Sequence, residues 1–332
     1  MDDPLAQTYD DFGRRWARGT SPLYQEWSIG IAGDHGILDL LRALPRRMQQ
    51  PNLVFAAARW EGCPLGGYPE WRAWALEHWD RIVETAAARS TQTNEPNRCA
   101  TLVPQFARID GPVALLEVGA AAGLCLFPDR YGYDYAGPDG ASRLDPPGGR
   151  SAVSLACRID EPPPGRVPEV VWRRGIDLDP IDARDEAAID WLATLIWPGP
   201  DHDARVARLR AAARVAADDP PEIVRGDLLE RTADVADSAP RDAHLIVFHS
   251  AVLLYLDAEQ RRRFADLVTG LGDALGRTIT WLSNETAGTL PEIDAQLPEG
   301  MDASGRFVQT VDGAAVALAG QHGATYETAL FR

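Results

Sequence analysis

From Val113 onward the chain alternates short apolar runs with longer stretches in which apolar residues recur at helical spacing. Val113–Val118 is continuous and strand-like, as a strand buried on both faces should be. Val170-Val171-Trp172 leads a second strand, Glu222-Ile223-Val224 a third, His244–Phe248 a fourth and Thr278–Leu282 a fifth. Helical patterns lie between them at Asp185–Trp197, Ala204–Ala217 and Ala258–Leu275. Strands alternating with helices predict a mostly parallel sheet covered on both faces. Phe307–Thr310, the weaker run Val316–Leu318 and Thr325–Thr328 predict closing antiparallel strands.

Upstream the texture differs. Asp10–Trp16, Pro22–Leu44, Pro51–Ala58 and a segment opened by Pro69 read as helices, with Ser21-Pro22 a helix-start signal. Trp71, Trp74 and Trp79 read as packing. The pattern predicts an N-terminal helical cap over 1–107 and an α/β domain over 108–332. Residues 131–168, rich in Gly, Pro and Tyr, read as an insertion in the latter.

Composition narrows the chemistry. All 33 basic residues are arginine, as a high-GC genome favours; with no lysine there is no Schiff-base lysine, lysine nucleophile or phosphate-loop lysine. A net charge of −16 opposes nucleic acid and suits an amine-bearing substrate. Cys63, Cys99, Cys125 and Cys157 are far apart, which argues against a zinc site or a disulfide framework; no metal is expected. The acidic Met1-Asp2-Asp3-Pro4 start is unlike a signal peptide, and the longest apolar stretch, His244–Leu256, is too short to span a bilayer. A cytoplasmic protein with no membrane partner is expected; the sequence leaves the oligomeric state, homo- or hetero-oligomer included, open.

The most informative segment is Leu115-Leu116-Glu117-Val118-Gly119-Ala120-Ala121-Ala122-Gly123-Leu124: a buried strand ending in an acid, a glycine turn, and an expected helix start. It resembles motif I of class I S-adenosylmethionine-dependent methyltransferases, with Ala121 at the middle glycine. That resemblance implies a Rossmann-like α/β fold and S-adenosylmethionine as cofactor, held by Glu117, Gly119, Ala121 and Gly123. Gly175-Ile176-Asp177 then resembles the strand end whose acid meets the ribose, and Gly226-Asp227 the turn whose acid meets the adenine. Asp134 has better spacing from the turn; Asp177 is preferred because strand, acid, proline and helix follow one another there. Phe248-His249-Ser250 resembles the segment facing the reacting centre, with His249 as the candidate base and Ser250 beside it.

Nearly end to end the chain also resembles domain-of-unknown-function family 2332. Ser21-Pro22-Leu23-Tyr24, Gln50-Pro51-Asn52-Leu53, Gln92–Glu95 with Arg98-Cys99, the Leu116–Gly123 motif and Asp129-Arg130-Tyr131 carry that likeness. Gly175-Ile176-Asp177, Trp197-Pro198, Gly226-Asp227 and Phe248-His249-Ser250 continue it. The family pattern has Ser at Ala121's position and Asn at Cys125's, departures that bear on cofactor binding. The expected function is a methyltransferase-like enzyme acting on a small amine-bearing molecule. The alternative is the same fold without methyl transfer, as a degenerate subunit or a SAM-independent alkylation or cyclisation enzyme of specialised metabolism. A serine hydrolase at Ser250 lacks the Gly-x-Ser-x-Gly elbow.

Gln92–Arg98 is too polar to be expected on a core face. It reads as a solvated loop, as helix caps, or as the substrate reader. In the last reading Glu95 meets an amine, Arg98 an anion, and Asn94, Tyr24 and Tyr131 line the site.

Overall fold

The computed structural model describes residues 3–331; Met1 and Asp2, on which the reading of the chain's start partly rests, lie outside them. The chain divides into two compact units: Met1–Thr93 with Glu186–Ala207, and Asn94–Asp185 with Arg208–Arg332. The first division therefore falls at Thr93/Asn94 rather than near 107. A later segment returns to the first unit, and the boundary at Ala207 lies within helix His202–Asp218.

The first unit is helical. Its helices begin where the sequence punctuates them. Ser21 accepts the Tyr24 N–H with Pro22 next to it, and Pro51 opens Pro51–Trp60. Asp34 caps His35–Arg42 and so splits the run expected over Pro22–Leu44. The core is aromatic: Tyr9, Tyr24, Trp27, Phe55 and Trp71 are fully buried, with Tyr24 and Phe55 4.8 Å apart between ring centres. Trp74 and Trp79 pack against the same cluster.

The second unit is built on one eleven-stranded sheet. Its strands are β1 (Pro112–Val118), β2 (Gly132–Gly137), β3 (Gly140–Leu144), β4 (Ser154–Ile159), β5 (Glu169–Asp177) and β6 (Glu222–Arg225). Then follow β7 (His244–Ser250), β8 (Ile279–Glu285), β9 (Arg306–Val311), β10 (Ala314–Gly320) and β11 (Thr325–Glu327). The order is β3-β2-β4-β11-β10-β9-β8-β7-β1-β5-β6. The run β8-β7-β1-β5-β6 is parallel throughout. All five of its strands stand where the apolar runs predicted them, and β9 and β10 close it antiparallel. Counted among themselves in chain order, the five run 3-2-1-4-5, so the order reverses between β1 and β7. β1 is buried along nearly its whole length, as its apolar run, interrupted by Glu117, requires.

Residues 131–168 hold β2, β3 and β4, which join the same sheet through the β4–β11 pair. β4 alternates strictly, with Leu155, Cys157 and Ile159 inward and Ser154, Ala156 and Arg158 outward. The tyrosines of this segment are core residues. Tyr131, Tyr133 and Tyr135 are buried, and their hydroxyls donate to the carbonyls of Leu124, Pro128 and Ala100. Among the described residues no helix is long and apolar enough to cross a membrane.

Candidate functional site

The C-terminal ends of β1, β5, β6 and β7 gather the motif residues. The turn after β1 is clamped to β5: the Gly119 and Ala120 N–H groups both donate to the Ile176 carbonyl, at 2.8 and 3.1 Å. Gly119, Ala121 and Gly123 all have positive φ. Two features depart from expectation. No helix follows the turn; a single 3-10 turn, Leu124–Leu126, leads on towards β2 instead, so the backbone N–H cluster of a full helix start is missing here. The space left by Gly119's missing side chain is not open either, because a Cβ there would collide with Val252 of the loop after β7. Gly175 is packed in the same way against Ala120.

Asp177 holds this turn in place. One carboxylate oxygen accepts the Ala121 N–H and the other the Asp179 N–H, each at 2.8 Å. Asp227 caps helix Leu228–Asp237 through the Leu229 N–H. Both acids stand at the strand ends where the sequence placed them, and both already serve the backbone.

Glu117 differs. It ends β1 beside the order reversal, is buried, and its Oε2 has no hydrogen-bond partner. Burial holds its carboxyl well above the usual glutamate range; Cys125 and Asp177 push the same way and Arg98 opposes them. The neutral acid is therefore favoured. Two non-glycine residues with left-handed backbone flank the same point, Ala121 after β1 and Ala251 after β7. Such strain persists only where the surroundings enforce it, and it clusters at functional sites.

His249 does not fit the role of base. The ring is fully buried, with Nδ1 2.8 Å from Glu285 Oε1 and Nε2 3.1 Å from Trp281 Nε1. An indole N–H only donates, so Nε2 accepts, the proton sits on Nδ1, and the neutral ring has no free nitrogen. Ser250 accepts the Asn284 side-chain amide, and the positive φ belongs to the next residue, Ala251. No strained nucleophile serine results.

The polar Gln92–Arg98 cluster corrects another expectation, since Glu95, Asn97 and Arg98 are buried. Glu95 caps the short turn Pro96–Arg98 through the Asn97 N–H and pairs with Arg208 Nε at 2.9 Å. Arg98 donates to the carbonyls of Gln321 and Ser250 and lies over the Phe307 ring, and burial pulls its guanidinium below the ordinary range. Asn94 bridges the Ala120 carbonyl and the Leu124 N–H, supporting the motif turn. The cluster ties loops together. Tyr24 and Tyr131, expected at a substrate, are buried interior residues; the Tyr24 hydroxyl accepts from Arg59.

The four cysteines are free and buried. Burial pushes the Cys63 and Cys157 thiols up to about 12 and that of Cys99 well above its ordinary value. None of these three is poised as a thiolate nucleophile.

Sequence reasoning missed Glu285. Its Oε1 accepts from His249 Nδ1 and from the N–H groups of Val252 and Leu253, at 2.8, 2.9 and 3.0 Å. The signal was present: the apolar strand Thr278–Leu282 continues into Ser283-Asn284-Glu285, three polar residues that are all buried.

Sheet and site define an α/β protein whose buried acids collect at the C-terminal ends of parallel strands. The chain belongs to the family described as an uncharacterized protein conserved in bacteria (DUF2332), whose model matches residues 65–327. Of the segments that carried the resemblance, Ser21–Tyr24 and Gln50–Leu53 lie outside the matched residues. No curated protein and no solved structure matches the chain.

Proposed function

We propose that this is a methyltransferase-like enzyme that binds S-adenosylmethionine over the ends of β1, β5 and β6 and acts on a small, amine-bearing molecule. The 3-2-1-4-5 order is that of doubly wound nucleotide-binding sheets, whose ligands sit outside the strand ends where the order reverses. The observation that carries the reading is Glu117, a buried carboxyl at that reversal with an unpartnered oxygen. Among the cofactor residues, Glu117 offers this free acceptor or, protonated, a donor. Asp177 and Asp227 follow in chain order at the next two strand ends.

Bound S-adenosylmethionine would supply an electrophilic methyl on a sulfonium. The chain's own part would be alignment and exclusion of water. With both His249 nitrogens occupied, the acceptor would have to arrive as a free amine or lose its proton to solvent.

One observation favours the second reading, the same fold without methyl transfer. The three-residue turn Leu124–Leu126 replaces the helix start, and Val252 fills the space at Gly119. Calorimetric titration with S-adenosylmethionine and its demethylated product separates the two. The first reading expects saturable binding, weakened by roughly 0.5–1.5 kcal/mol in Glu117→Ala, the scale of a hydrogen bond to a neutral group. No binding at millimolar ligand by the folded, unmutated protein leaves only the second.

A further inference from the structure

Behind β8 lies a small cavity lined by Ser283, Glu285 and Thr286, by Asp294, and by Thr310 on β9; apolar side chains complete its wall. Two of its polar groups are buried without partners, Glu285 Oε2 and Thr310 Oγ1. Each unmade hydrogen bond at such depth is costly, more so for a charged group. The cavity is independent of the cofactor reading above.

The charge on Glu285 makes the case specific. Its Oε1 accepts three N–H donors, an arrangement suited to an ionised carboxylate. None of the three is a cation, because Trp281 fixes His249 as the neutral Nδ1–H form. Arg98 acts on Glu285 only through space, its own N–H groups donating to the Gln321 and Ser250 carbonyls. Arg261 likewise donates to the carbonyls of Leu253, Leu254 and Thr289. The unpartnered carboxylate oxygen and the hydroxyls beside it suit a positive guest in the cavity.

We propose that this cavity binds a small monovalent cation, held by Glu285 Oε2 and the hydroxyls of Ser283, Thr286 and Thr310. One carboxylate among neutral hydroxyls balances a single charge. Magnesium and calcium sites draw on several oxygen ligands, typically with more than one carboxylate. Asp294 already accepts the Gly288 N–H with both oxygens, and among the described residues no three His, Cys, Asp or Glu gather around an ion.

Thermal unfolding of the full chain in sodium, potassium, ammonium and tetramethylammonium chloride at equal ionic strength tests this. The expected result is a melting temperature a few degrees higher in at least one small cation than in tetramethylammonium, saturating with concentration. Glu285→Gln keeps the shape and should abolish the difference. If that variant fails to fold, Thr310→Val removes one ligand at constant size and should raise the half-saturating concentration roughly tenfold. Equal melting temperatures in all four salts would overturn the proposal and assign the cavity to water. A cation response undiminished in either variant would overturn the location.

Discussion

Two buried polar regions of the second unit use the same residue types to opposite ends. Around Glu95 and Arg98 the charged groups meet internal partners: Glu95 meets Arg208 and the Asn97 N–H, and Arg98 meets two backbone carbonyls. Around Glu117 and Glu285, at the ends of β1 and β8, each carboxyl keeps one buried oxygen without a partner. Charged groups with internal partners fix loops, with Asn97 Oδ1 the unpartnered atom beside them, and an unpartnered carboxylate oxygen awaits a ligand or an ion. Function is therefore sought at the strand ends and not in the richer-looking cluster.

The comparison breaks most directly at Glu95. Glu95→Gln keeps the shape but replaces the charge facing Arg208, whose side chain is itself mostly buried. Loss of a buried charge-assisted bond should lower stability by roughly 1.5–3 kcal/mol, read as a shift of the urea midpoint. Ligand affinity per folded molecule should stay unchanged. Unaltered stability with lost ligand binding would return Glu95 to the site and erase the distinction.

Glu117 sharpens the other side. Its carboxyl sits above the ordinary 4.5 because of burial, so at higher pH the unfolded chain releases a proton that the folded chain keeps. Stability should therefore fall as pH rises from that value until the folded carboxyl ionises, at a slope of up to about 1.4 kcal/mol per pH unit. Glu117→Gln lacks this slope and should become the more stable protein at the upper end. Urea unfolding of both from about pH 5 to about pH 8 checks the sign, and parallel profiles would mean that a partner compensates Glu117.

Much of the fold was legible because long-range burial wrote it into local pattern. The five parallel strands of β1, β5, β6, β7 and β8 are apolar runs that solvent would not tolerate, and Asp257 with Gln260 and Gly276 delimit helix Ala258–Leu275. β2 to β4 were missed because their apolar residues are spaced by Gly, Pro and Arg, and their pairing depends on β11, far along the chain. For the candidate residues, position in the fold was legible and hydrogen-bonding availability was not. Asp177 and His249 stand at the anticipated strand ends, but their partners come from Ala121, Glu285 and Trp281, and spacing alone does not reveal contacts across the sheet. The burial of Glu95 and Arg98 was hidden for the same reason: their satisfying carbonyls and guanidinium lie more than a hundred residues away in sequence.

The smallest effect concerns Ala121, where the two kinds of region meet. Its N–H is held by Asp177, like a residue of the filled cluster, yet its backbone is strained beside the unfilled Glu117. With φ at +49°, an alanine there costs roughly 1–2 kcal/mol relative to an unstrained residue. Ala121→Gly relieves that strain but adds roughly 0.5–1 kcal/mol of entropy to be lost on folding. The two nearly offset, so stability should rise by no more than about 1 kcal/mol, read from the urea midpoint. If the turn is a ligand cradle obstructed by this methyl, affinity for S-adenosylmethionine should rise in the same variant. If the methyl instead packs the interior, Ala121→Gly should destabilise by more than about 1 kcal/mol. That result would move the turn to the filled side of the comparison and leave Glu117 as the single unfilled group at the end of β1.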